Sequence, residues 1–220
     1  MNDLLERYGE LLGEVDRWFE SCLNLHPGSI TCRQGCSECC RGLFDITVLD
    51  ALYLKRGFDL LPEDIQEQVR SLSAARLSGL SRRWPEFREP WILNGIPEDQ
   101  WDEMMPEDDA TPCPLLSGDG SCRVYAHRPM TCRLNGIPLI DLSGEEFFDE
   151  WCSLNFTDMD PTGLVDIRYP FNDLFSQELL LFHELTRRIS GCAVGELDTI
   201  IPAAVFLHEN QLRLLKPPHL

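Results

Sequence analysis

The sequence predicts a mainly α-helical single domain in which helices at both ends enclose two cysteine-bearing loops and a small β-hairpin. Three observations carry this expectation. Apolar residues recur at three- and four-residue steps near both ends, capping and stop residues bracket those runs, and the middle of the chain is rich in Gly, Pro and Cys. With 220 residues, 43% hydrophobic and 25% charged, the chain can bury one core and does not have the composition of a disordered or fibrous protein.

The elements follow in order. From residue 3 to 25, Leu4, Leu5, Tyr8, Leu11, Leu12, Val15, Trp18, Phe19, Cys22 and Leu23 form the stripe of an amphipathic helix, and Pro27-Gly28 ends it. Residues 28–42 read as an irregular loop. Thr47 and Asp50 open a capping box for a short helix ending before Gly57. Pro62 suits the first position of a helix running to about Arg83, with Glu63 and Asp64 in its first turn. Residues 84–111 hold four prolines, Trp84, Trp91 and Trp101, and a cluster of acids from Glu98 to Asp109, and read as a long connection with a solvated acidic face. Leu115 to Tyr125 reads as a hairpin turning at Asp119-Gly120, and residues 137–142 as a further extended stretch. Helices are expected over residues 172–215: one capped by Asn172 or Asp173 and closed by Gly191, and one from Asp198 to Leu215 stopped by Pro217-Pro218. The cysteine core spans about 28–155 within a single 1–220 domain.

Acids outnumber bases 37 to 19, a formal charge of -18, so phosphate backbones and anionic lipid surfaces are expected to be repelled. Nucleic acid and membrane are therefore not expected as partners, whereas a basic protein partner fits the charge. Met1 to Glu6 lacks the basic and continuous apolar regions of a secretory signal, which leads to the expectation of a cytoplasmic protein. In a reducing compartment, ten cysteines point to metal ligation or redox chemistry before they point to five disulfides. The sequon at Asn155 is expected to be coincidental.

Eight of the ten cysteines fall into a pattern. Cys32, Cys36, Cys39 and Cys40 form C-x3-C-x2-C-C, and Cys113, Cys122, Cys132 and Cys152 follow from a second segment. Two residues between thiolates let a turn aim both sulfurs at one metal, and Gly35 and Gly120 supply permissive backbone. Four plus four thiolates suffice for two zinc ions or two iron–sulfur clusters, and spacing does not choose between them. Adjacent Cys39 and Cys40 leave the backbone in different directions, so two metal atoms are expected to divide them. Four of the eight cysteines are followed directly by arginine (Arg33, Arg41, Arg123, Arg133), several times what chance placement gives for 17 arginines in the chain. Their guanidinium groups are suited to offsetting thiolate charge, while surface pairing with the many acids is the plainer alternative. Cys22, on the helical stripe, and Cys192, alone in sequence, are left outside the site. His127 lies within the second segment and could be a further ligand; His26, His183, His208 and His219 read as packing or surface residues.

This pattern resembles the YkgJ-like cysteine-cluster family, described as carrying a zinc- or iron-chelating domain. The resemblance rests on Cys32 to Cys40, Cys113-Pro114-Leu115-Leu116, Gly120-x-Cys122, Tyr125-x-x-Arg128-Pro129-x-x-Cys132-Arg133 and Cys152, over roughly residues 30–155. It implies that these eight cysteines are the chelating set, with Arg128 and Pro129 matching a recurring pair that orients it. Flagellin lysine N-methylases are similar in this region, but the chain has no glycine-rich fingerprint for an adenosyl cofactor. Three readings follow. The first is a metal or iron–sulfur protein with a redox or metal-handling role. The second is a protein-modifying enzyme organised by its metal, and the third a structural zinc module that binds a basic partner.

Overall fold

The computed structural model describes residues 1–213 and shows a mainly α single domain. Helix α1 (Asn2–Leu25) buries Leu4, Leu5, Tyr8, Leu11, Leu12, Val15, Trp18 and Cys22, the stripe expected from their spacing. Helix α6 (Phe171–Ser190) lays Leu174, Leu181, Phe182, Leu185 and Ile189 against it and stops at Gly191, whose φ of 85° is left-handed. The Trp18 ring meets Phe171 edge-on at 5.1 Å and donates its indole N–H to the Ile167 carbonyl at 2.8 Å.

Both helices also contact α2 (Val48–Phe58), capped by the Thr47 hydroxyl accepting from the Asp50 N–H at 3.1 Å, and α1 packs on α5 (Met130–Leu134). The buried Tyr8 hydroxyl joins three helices, lying 2.7 Å from an Asp50 oxygen and 2.9 Å from a Glu178 oxygen. One hydroxyl proton cannot serve two carboxylates. Burial raises the pKa of both acids, and the Asp50 charge raises that of Glu178 further, so the group holds its additional proton to a higher pH than ordinary carboxylates do. Helix α3 (Glu63–Arg83) packs Leu77 and Leu80 into a second cluster with Trp84, Phe87, Leu93, Ile96 and Met104, the last on the short α4 (Trp101–Met104). The long connection therefore has its own small core. Trp91 and Trp101 pack against it, and the acids from Glu98 to Asp108 are exposed.

Several boundaries differ from the sequence reading. Helix α2 continues through Gly57, where an added Cβ would lie 2.5 Å from the His127 ring; the glycine is there for close packing, not as a stop. Helix α6 begins at Phe171 after Pro170, without a side-chain cap, because the Asn172 N–H bonds the Asp141 carboxylate instead. The expected hairpin at Asp119-Gly120 is a narrow loop with a single bridge, Leu116 to Cys122, while Leu139–Ile140 (β2) and Glu146–Phe148 (β3) form a short antiparallel pair. Pro62 precedes the first turn of α3 instead of opening it.

The largest change is at the C-terminal end, where one helix from Asp198 to Leu215 was expected. Asp198–Ile200 is a strand (β4) pairing antiparallel with Asp45–Thr47 (β1), then come α7 (Ile201–Ala204) and α8 (Glu209–Leu212). The β-branched run Thr199-Ile200-Ile201 favours extended backbone, and Pro202 fits only the first turn of a helix. The end of that expected helix at Leu215, its Pro217-Pro218 stop and His219 lie outside the described residues. Among the described residues, no helix is long and apolar enough to cross a membrane.

Candidate metal centre

All ten cysteines are free thiols; of the eight in the array, Cys39 is exposed and the other seven are half-buried. The first segment is held by Asn155. Its side chain accepts from the Thr31 N–H at 2.8 Å and donates to the Gly136 carbonyl at 2.6 Å and to the Cys32 sulfur at 3.2 Å. Gly136, at φ 111°, lets the chain pass where a Cβ would come within 3.0 Å of the Cys32 sulfur and 3.9 Å of the Cys152 Cβ. The Cys152 N–H meets the Gly136 carbonyl at 3.4 Å. Cys32 and Cys152, 120 positions apart in sequence, are thus neighbours.

Tight turns follow, with the Cys36 N–H bonded to the Arg33 carbonyl and the Cys40 N–H to the Ser37 carbonyl. The second segment then joins the first backbone to backbone. The Gly42 N–H reaches the Thr111 carbonyl and the Cys113 N–H the Cys40 carbonyl, each at 2.9 Å, around a bridge between Arg41 and Pro112. The loop tip also touches the first segment, because a Cβ on Gly120 (φ 85°) would lie 3.1 Å from the Gly35 carbonyl oxygen. Cys122 sits across from Leu116, and Cys132 lies on α5, whose first N–H donates to the Asp50 carboxylate at 2.8 Å.

The sulfurs border two recesses. One is lined by Cys36, Cys39, Cys40, Cys113, Cys122 and Cys132 together with Leu43, Phe44, Leu115, Val124 and Ile201. The other is lined by Cys32, Cys36, Cys39 and Cys132, among others. Arg128 borders both.

Burial raises the Cys113 thiol to about 11 and lifts Cys132 well above the ordinary thiol value. Cys122 is raised by burial against the opposing charges of Arg128 and Arg133, and Cys39 chiefly by its hydrogen bond with Cys40. In this state these thiols carry their protons at neutral pH, so thiolate ligation would release protons. Among the described residues, no three cysteine, histidine or acidic side chains converge as ligands on one point.

The donor chemistry nevertheless suits a thiophilic metal. Eight free thiols come from two interlocked segments, and Arg128 brings a buried Nε–H with no acceptor to the border of both recesses. A thiolate or cluster sulfur is the acceptor such a donor lacks.

The five arginines separate. Arg128 stacks on the Tyr125 ring at 3.8 Å, and its charge favours ionisation of Cys39, Cys122 and Cys132. Arg133 is buried, donates to the Arg128 and Ala126 carbonyls, pairs with Asp16 and favours ionisation of Cys122. Arg123 also has a buried Nε without an acceptor. Arg33 is exposed and reaches only the Thr31 carbonyl, and Arg41, also exposed, borders the first recess. Of the four arginines that follow a cysteine, Arg133 alone pairs with an acid among the described residues, and it does so from a buried position and not at the surface; Arg128 also lies against the same Asp16.

His127 is turned away onto α2, tilted against the Tyr53 ring at 5.0 Å and packed on Gly57, and borders neither recess. Cys22 is fully buried in the apolar core with its thiol pushed up to about 12, while Cys192 is exposed beside Ser190. The residue that sequence reasoning missed is Asn155, set aside as a chance sequon; its partners Thr31, Cys32 and Gly136 are distant in sequence, so no local signal marked it.

Fold and site together define a helical cysteine-cluster domain. More than half of the chain, residues 31–153, matches the family model CxxCxxCC, described as "Putative zinc- or iron-chelating domain". The chain belongs to this family. No curated protein and no solved structure matches it.

Proposed function

We propose that the protein is a cytoplasmic metal-binding protein holding zinc or iron–sulfur clusters through Cys32, Cys36, Cys39, Cys40, Cys113, Cys122, Cys132 and Cys152, in a metal-handling or redox role. The observation that carries this is the backbone junction of Cys40 with Cys113, which brings two sequence-distant thiol groups to one place. Bound metal would supply either a closed tetrathiolate or an electron-carrying cluster. Around it, Asn155 orients Cys32, Arg128 and Arg133 offset sulfur charge, and Arg123, Arg33 and Arg41 stand next to ligands in sequence. The test is anaerobic purification followed by a visible spectrum and assays of zinc, iron and acid-labile sulfide. A colourless protein with zinc rejects the cluster, a brown one with sulfide rejects zinc, and a protein with neither overturns the proposal. Cys36→Ser is expected to lose metal and Cys22→Ser to keep it.

A protein-modifying enzyme is a second reading, favoured by the apolar lining that the first recess places beside six cysteines. It requires an open coordination position, so the absorption of cobalt-substituted protein should change with added azide; an unchanged spectrum favours closed sites. The third reading, a structural zinc module with a basic partner, is supported by the charge of -18 alone.

A further inference from the structure

We propose that the edge strand β3 and the adjoining face of α6 form a docking surface for a basic, extended segment of a partner protein. The proposal does not depend on the metal. It rests on the reading of a basic partner and gives that partner a place on the molecule.

The run Glu145-Glu146-Phe147-Phe148-Asp149-Glu150 sets two aromatic rings between two pairs of acids, and all six residues are exposed. Strand phenylalanines ordinarily face a core, yet Phe147 is 40% and Phe148 52% exposed. The Phe147 ring leans on α6, 5.2 Å from the Phe175 ring and 6.4 Å from that of Phe171. Phe175 and Leu179 lie one turn apart on α6, and Leu179 is exposed, so an apolar strip runs from the strand onto the helix. An apolar surface rimmed by charge marks an interaction site. The backbone is open as well: β3 pairs with β2 on one side only, and beyond that pair residues 146–150 make no backbone hydrogen bond among the described residues. An unpaired strand edge can take an added chain.

Charge selects the occupant. Glu145 accepts from the Asn172 amide at 3.1 Å, whereas Glu146, Asp149 and Glu150 enter no ion pair among the described residues. A second copy of this chain pairing edge to edge would set acid against acid, and the register shift between Leu139 and Ile140 shortens the regular edge available to it. Phosphate backbones and anionic lipid are repelled by the same carboxylates. Arginine and lysine answer them: their cationic groups pair with the three acids, and a guanidinium can lie on the exposed Phe148 ring. Apolar residues between the basic ones would cover Phe147, Phe175 and Leu179.

The test is fluorescence anisotropy of a labelled decapeptide of alternating arginine and valine, titrated with the full chain at low salt. Glu146→Gln, Asp149→Asn and Glu150→Gln combined should weaken binding about tenfold. Phe148→Ala should weaken it severalfold with no change of charge. Glu98→Gln, Asp99→Asn and Asp102→Asn combined remove the same charge from exposed acids of the long connection, and should change binding by less than about twofold. Equal weakening by the two triple variants, or full binding by Phe148→Ala, would overturn the docking surface and leave a basic partner held by net charge alone. Wild-type chain that does not bind the peptide would reject the basic-partner reading along with the surface. A wild-type dimer in sedimentation, dissociated by Phe148→Ala, would give this face to a second copy and overturn the basic occupant.

Discussion

Gly136→Ala puts the geometry of the Cys32 side to a quantitative test. At φ 111° an alanine pays the cost of backbone that side chains rarely adopt, about 1–3 kcal/mol. Its Cβ would also stand 3.0 Å from the Cys32 sulfur and 3.2 Å from the Asn155 amide nitrogen, so the clasp must yield. Losing one of its hydrogen bonds adds about 1 kcal/mol. The total of about 2–4 kcal/mol should lower Tm by roughly 5–15 °C in a chain of this size. Misplacing the group that orients Cys32 should also weaken metal binding about 10–100-fold. Thermal unfolding and competitive chelator titration read the two effects. Gly163→Ala is the control, since its Cβ would meet nothing within 4 Å and its φ is ordinary. Equal stability and equal metal affinity for Gly136→Ala and Gly163→Ala would refute the reasoning.

Asp16→Ala should cost about 1–2 kcal/mol in urea unfolding, because the buried Arg133 guanidinium keeps its two carbonyl partners but loses its carboxylate; an unchanged midpoint would show that the half-exposed pair contributes nothing. Glu178 has a folded pKa raised above its unfolded value, so its contribution to stability is fully present below the ordinary glutamate range and is lost as pH rises towards neutrality. Plotted against pH, the wild-type Tm should therefore fall relative to that of Glu178→Gln over this interval, and parallel curves would contradict a retained proton at Tyr8. In native alkylation with iodoacetamide, exposed Cys192 should react first and Cys22, buried with a pKa near 12, last; early labelling of Cys22 would show that α1 does not pack as described.

What the sequence made legible was set by local pattern. The stripe of α1, from Leu4 to Cys22, covers about five turns and announces itself, as do the Thr47 cap and the Gly191 stop, because each is fixed by local residues. The β1–β4 pair was not legible: three residues match three others about 150 positions away, and only the folded chain sets that register. Gly57 misled for the same reason, since its requirement comes from His127 on another segment. At the site, the thiols stood out by spacing, but Asn155 could not, because an amide bridging Thr31, Gly136 and Cys32 leaves no local signature.

The distribution of buried residues decides what metal removal should do. In classical zinc fingers the ion supplies about 10–16 kcal/mol, more than such a small core can, and chelation unfolds them. Here α1, α2 and α6 bury an apolar core of their own, each fully buried aliphatic or aromatic side chain contributing about 1.5–3 kcal/mol. By contrast, no residue from Thr31 to Asp45 is buried, and from Thr111 to Arg123 only Leu115 is. These two segments hold all the array's cysteines except Cys132 and Cys152, and their native ties are few: the backbone bonds between them, the Asn155 clasp on Thr31 and Cys32, the Arg76–Thr111 bond and the pairing of Asp45 at the end of the first segment. A chelator should therefore release these segments while the helical frame persists. Hydrogen exchange with and without chelator would show faster exchange at residues 31–45 and 111–123 and unchanged protection in α1 and α6. Uniform loss of protection, with loss of far-ultraviolet helical signal, would mean that the metal creates the helical frame and does not merely staple loops onto it.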